Sequence, residues 1–174
     1  SVIFGLKPKY KVYTALLTQS GSPSNEGLTS APLVVGVTYT ISSYSEGDDF
    51  TNVGAPSNTN GVSFVATGTT PNTWFGGTIL IYNPGAPVVT VLENTIGNVW
   101  FTYDIVGQYN IKSDVLFIDN KTAIFNKALY TWRRGIIIDV LNSSDISIKT
   151  VALDGGMGEN ELLSNTPIEI RVYS

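Results

Sequence analysis

Short apolar runs, each cut off by Gly, Pro, Asn or Asp, recur along almost the whole chain and constrain it to β-structure. Tyr10–Thr18 reads as a first strand and Leu33–Ile41 as another, with shorter candidates at Phe50–Val53, Val62–Ala66 and Gly77–Tyr82. Val88–Leu92, Val99–Tyr103, Gly107–Ile111, Val115–Ile118, Ala123–Phe125 and Tyr130–Trp132 follow, and Ile136–Leu141, Ile146–Leu153 and Ile168–Tyr173 complete the series. Runs of this length at roughly 8–12-residue spacing argue for an antiparallel sandwich or barrel rather than βαβ units. Asn60-Gly61 beside an apolar run is a hairpin signal. Thr122–Tyr130 fits helical and strand spacing alike, and Glu159–Ser164 has room for one helical turn.

Composition supports the same class. Charged residues are 14% of the chain and aromatics 11%. Average soluble domains carry about 25% charge, and β-branched and aromatic side chains suit a pleated surface. With 174 residues the chain can bury a core without covalent staples. Residues 22–85 differ from their flanks: they are rich in Thr, Gly, Asn and Ser, and polar stretches such as Gln19–Ala31 bound them. The expected architecture is therefore all-β. Residues 1–21 and 86–174 form an antiparallel sandwich or jelly-roll-like outer domain, and 22–85 form a small β module inserted into one of its turns, where insertions are tolerated.

Absences exclude much chemistry. There is neither His nor Cys, which removes a Ser-His-Asp triad, a thiolate nucleophile, a His base and the usual zinc ligands. No phosphate-binding or dinucleotide fingerprint is present; Gly155-Gly156-Met157-Gly158 lacks the Lys and the following helix, and reads as a flexible loop. Net charge is -4, and the only adjacent basic pair is Arg133-Arg134, read as an edge-strand charge or a subunit contact, so no nucleic-acid partner is expected. No apolar run reaches the ~18 residues of a membrane span, and no signal-like N-terminal region is seen. No cofactor is expected.

Carboxylates survive this exclusion. Asp48, Asp49, Glu93, Asp104, Asp139, Asp154, Glu159, Glu161 and Glu169 are available, but no pair shows a catalytic spacing. Asp48-Asp49, and Asp154 with Glu159 and Asn160, are oxygen-donor clusters of the kind calcium prefers, although neither follows a known loop pattern. The reading is of solvated loop acids, no bound metal and no catalysis. Among the aromatics, Trp74, Phe75, Trp100 and Trp132 are candidates for a subunit interface or a glycan-stacking surface, against plain core packing. Alternation places Val99, Phe101 and Tyr103 on one face of their strand and Trp100 with Thr102 on the other, while Trp74-Phe75 beside Gly76-Gly77 is the best exposed pair.

Several stretches carry a resemblance. Tyr10–Gly21 (YKVYTALLTQSG), continuing at Ala86–Gly97 (APVVTVLENTIG), together with Asn165–Tyr173 (NTPIEIRVY), resembles a domain of small virion proteins of tailed bacteriophages. Tyr39–Ile41, followed by Gly47–Gly54 (GDDFTNVG) and Gly61–Trp74 (GVSFVATGTTPNTW), resembles a module repeated in phage fibre and tail proteins. The resemblance implies a non-enzymatic virion structural protein, made in the host cytoplasm, that decorates the capsid or forms part of a head fibre or tail. Its expected partners are copies of itself, with a homotrimer favoured, other capsid or tail subunits, and a host-surface glycan at the module. A carbohydrate-binding module and a carboxylate glycosidase are the alternatives.

Overall fold

A computed structural model describes residues 9–75, 77–127, 134–152 and 156–174. Among them there is no α-helix, and twelve strands form three antiparallel sheets of four strands each. In chain order the strands are β1 (Tyr10–Thr18), β2 (Glu26–Leu28), β3 (Thr38–Ser43), β4 (Ser63–Val65), β5 (Ile79–Tyr82) and β6 (Val88–Asn94). They continue with β7 (Val99–Ile105), β8 (Gln108–Ser113), β9 (Thr122–Asn126), β10 (Arg134–Asn142), β11 (Asp145–Ala152) and β12 (Thr166–Tyr173). The protein is an all-β sandwich with a further small sheet.

Two sheets, ordered β6-β1-β12-β9 and β10-β11-β8-β7, face each other. The strand pattern explains why. Tyr13, Ala15 and Leu17 alternate inward along β1, as do Ile168, Ile170 and Val172 along β12. They meet Phe101, Tyr109, Ile111, Ile146 and Ile148 from the opposite sheet in one buried cluster. A period of two with one face apolar is what a half-buried strand requires.

The third sheet, ordered β2-β5-β3-β4, draws all its strands from the Thr/Asn/Gly-rich stretch. Tyr39, Ile41, Phe50, Phe64 and Leu80 pack beneath it in a second core. β3 and β5 pair with each other, not with strands of the sandwich. The two ends of this stretch lie together: a Cβ on Gly21 would stand 1.8 Å from the Pro84 carbonyl oxygen, and one on Gly85 would stand 2.9 Å from the Pro23 Cα. Only glycine permits so close an approach.

Several local expectations change. Phe50–Val53 is not a strand: Thr51–Val53 is a 3-10 turn, because the Asp49 carboxylate accepts the Thr51 N–H at 2.9 Å and Gly54 closes the turn in the left-handed region. Asn60-Gly61 is a turn but not a two-residue hairpin, since β4 pairs back to β3 across the whole intervening loop. Val115–Ile118 is irregular; Val115 has φ of 60°, and the Ser113 hydroxyl accepts the Leu116 N–H. Glu159–Ser164 forms no helical turn, with Glu161 at φ 64°. Within Thr122–Tyr130 the strand covers Thr122–Asn126. Tyr130–Trp132 lies outside the described residues. The stretch Gln19–Ala31 is more than a connector. It contains β2, and Gln19 is buried, with its side-chain oxygen accepting from the Tyr109 hydroxyl at 3.0 Å and the Glu161 N–H at 2.7 Å.

Candidate functional site

Trp74 and Phe75 part company. The Trp74 ring packs edge-on to Phe50 at 5.0 Å between centroids, and its indole N–H donates to the Thr78 carbonyl at 2.9 Å. It belongs to the second core. Phe75, by contrast, is 87% exposed. Its backbone is held rather than loose: the Asp48 carboxylate, itself buried, accepts the Phe75 N–H at 2.8 Å and the Thr78 N–H at 3.0 Å. Burial alone would push the Asp48 carboxyl up, but hydrogen bonds from Thr78 and Phe75 outweigh it and hold the group below its ordinary value. Asp49 is tied in the same way, by Asn72 at 2.8 Å, Asn58 at 3.0 Å and Thr51, and these donors hold it well below the carboxylate range. Asp48 and Asp49, one of the two clusters read as possible calcium donors, are therefore occupied as staples of the loops that carry Trp74 and Phe75; of the other cluster, Asp154 lies outside the described residues. Among the described residues no group of three acidic side chains converges as a metal site would need.

This difference is testable. Phe75→Ala is expected to leave stability within about 0.5 kcal/mol of the parent. Trp74→Phe, which removes the indole donor, should cost about 1 kcal/mol. Urea unfolding of the two variants separates a presented aromatic from a structural one.

Trp100 stands opposite Lys112 on β8, is partly buried and packs against the main core. Trp132 lies outside the described residues, as does Arg133. Arg134, which opens β10, makes a two-pronged pair with Glu159, at 2.6 Å and 3.2 Å.

Sheet edges are the larger feature of the surface. A sandwich has two open sides, each lined by one edge strand of each sheet, and exposed edges invite pairing with other chains. On one side β6 and β7 are covered by the small sheet. The Val89 N–H donates to the Gly36 carbonyl at 2.9 Å, the Phe101 N–H to the Thr38 hydroxyl at 3.1 Å, and the Asn98 amide to the Ser63 carbonyl at 2.9 Å. Val65 of β4 joins the main core. Gly36, at φ +86°, is needed here, because a Cβ would come within 2.3 Å of the Val89 carbonyl oxygen.

On the other side, β9 and β10 end their sheets, each with a single strand partner among the described residues. Ile137 on β10 is 48% exposed, Leu141 59% and Phe125 on β9 49%. Ile136, Ile138 and Val140 face the core but are only partly covered, so the core itself is open here. Phe125 lies under the Arg171 guanidinium, which also stacks on Tyr10, both at 4.8 Å. From the sequence Ile136-Ile137-Ile138 reads only as a strand, and because the run carries no Lys, the residue that commonly guards an edge, nothing in it announces an edge.

A cleft of about 240 Å³ runs between the small sheet and β7, lined by Asn25, Tyr82, Asn83, Thr102 and Tyr103 among others. In it the Tyr82 hydroxyl donates to Glu26 at 2.5 Å, and this bond, with burial second, pushes the phenol up to about 12. No described helix is long and apolar enough to cross a membrane. No family model matches the chain, and neither does any curated protein or solved structure.

Proposed function

We propose that the chain is a non-enzymatic structural subunit of a bacteriophage virion, placed in a head fibre, capsid decoration or tail part. It acts by surface complementarity, assembling with copies of itself and with capsid or tail subunits. The observation that supports this reading is the asymmetry of the sandwich. One open side is covered by the chain's own inserted sheet, while the other presents β9 and β10 with Ile137, Leu141 and Phe125 exposed. Low charge and apolar edge strands suit burial between subunits, whose contact centres are depleted in charge. The resemblance favours three copies, whereas pairing through β10 gives two.

Light scattering of the purified protein is expected to return a small multiple of 18.7 kDa. A clean monomer at micromolar concentration overturns self-assembly. Incubation with bacterial polysaccharides and peptidoglycan should give no hydrolysis, and turnover abolished by replacing one acid would overturn the non-catalytic reading. Electron microscopy of the parent particle locates the subunit. A second reading, glycan binding, is favoured by the mixed polar and aromatic cleft at Asn25, Tyr82 and Tyr103. Specific binding of the protein on a glycan array supports it, and loss of that binding in Tyr103→Ala assigns it to the cleft.

A further inference from the structure

We infer that β10 pairs antiparallel with β10 of a second copy, across a two-fold axis at Ile138; this rests on the self-assembly proposed above. β10 is the longest of the exposed edge strands, at nine residues, and carries one acid and no Lys. Extending the sheet through it must keep the apolar face of both copies on the core side. Directly opposed residues then share a face, so the axis passes through a residue rather than between two. An axis at Asp139 would set two carboxylates against each other, which is unfavourable. An axis at Ile137 shortens the overlap and leaves Leu141 unpaired.

The axis at Ile138 makes the strand self-complementary. On the core side Ile136 opposes Val140 of the second copy and Ile138 opposes itself, closing the half-covered row of the main core. On the outward side Leu141, exposed at the bulge that ends the β10–β11 register, comes over Gly135, which offers no side chain to obstruct it. Ile137 opposes Asp139 of the second copy. Lys149 stands beside Ile137 on β11, in the same cross-strand row, so each Asp139 approaches a cation on the other copy. An apolar partner would leave Asp139 without that charge, and a wholly polar one would leave Ile137 and Leu141 wet. The pattern fits a second copy of this chain.

The Ile137–Asp139 opposition is tested by charge. The parent protein should have a mass of twice 18.7 kDa. Ile137→Asp sets like charges opposite each other at two symmetric places and should weaken dimerisation at least about tenfold. Ile137→Lys faces Asp139 with a cation and should remain dimeric, an asymmetry that misfolding does not produce at this exposed position. The double variant Ile137→Asp/Asp139→Lys rebuilds both pairs and should recover the dimer. Failure of the double variant to recover, or dissociation by Ile137→Lys, overturns the register. A mass of three times 18.7 kDa that Ile137→Asp leaves unchanged overturns β10 pairing while self-assembly survives. A monomeric parent overturns both.

Discussion

Replacing Asp48 with alanine is expected to destabilise the β2–β5 sheet and its loops by about 3–4 kcal/mol, as two N–H groups lose their charged acceptor. Asp48 is 3% exposed and Thr78 fully buried, so water cannot readily substitute at the Thr78 N–H. The loss propagates, because the same residues seat Trp74 against Phe50. Asp48→Asn keeps the shape and one acceptor, and should fall between parent and alanine variant at about 2 kcal/mol. Acid should reproduce part of the effect. In the fold the carboxyls of Asp48 and Asp49 are both held below their ordinary values. The unfolded chain therefore binds protons first, and the stability these groups contribute is complete above about pH 4 and is lost as the pH falls further. Urea unfolding followed by near-ultraviolet circular dichroism should show a midpoint that is flat from neutrality to mild acid and drops below it. A midpoint that does not move in Asp48→Ala, or that rises on acidification, would show that the carboxylates are not staples.

Much of the sandwich was legible because alternation is a local property. Tyr10–Thr18 begins and ends where the sequence places it, and Val99–Tyr103 splits its faces as alternation requires. The failures share a cause, which is a side chain satisfying backbone groups that the apolar pattern ignores. Asp49 turns Phe50–Val53 into a 3-10 turn, and Ser113 unravels the run at Val115–Ile118. Gln19, polar and set among Ser and Gly, looked solvated; its partners at Tyr109 and Glu161 lie 90 and 142 residues away. The same limit applies to the candidate site. Trp74 and Phe75 are adjacent, yet which ring is buried depends on Phe50 and Asp48, distant along the chain. Whether Ile136–Val140 lies in a sheet centre or on its edge depends on strand order, which among the described residues pairs β10 with β11 alone. No property of those residues states it.

Strand order also settles what the inserted sheet does for the sandwich, and so what its removal should do. Deleting residues 22–85 and joining Gly21 to Ala86 is expected to leave a sandwich that still unfolds cooperatively but has lost about 3–6 kcal/mol, a large share of the 5–15 kcal/mol typical of a domain. Cooperativity should persist because neither sheet of the sandwich takes a strand from that stretch. The junction is short, since Gly21 already lies against Pro84 and Gly85 against Pro23. What is lost is the cover. Val65 leaves the main core, whose burial is worth about 1.5–3 kcal/mol. The Val89 and Phe101 N–H groups exchange protein acceptors for water, at about 1 kcal/mol each. Uncovering β6 and β7 gives the sandwich a second pair of open edges, so the deletion variant should associate, in a concentration-dependent way, beyond the assembly that the parent forms through β10. Adding Val89→Lys would misreport this, because Val89 is buried; Val88→Lys and Thr90→Lys, on exposed neighbours in β6, should instead suppress the new association without touching the core. Calorimetry and sedimentation on the deletion variant decide the matter. A gradual transition, with no cooperative unfolding even when the lysines keep the variant soluble, would mean that the small sheet is part of the sandwich core and not its cover.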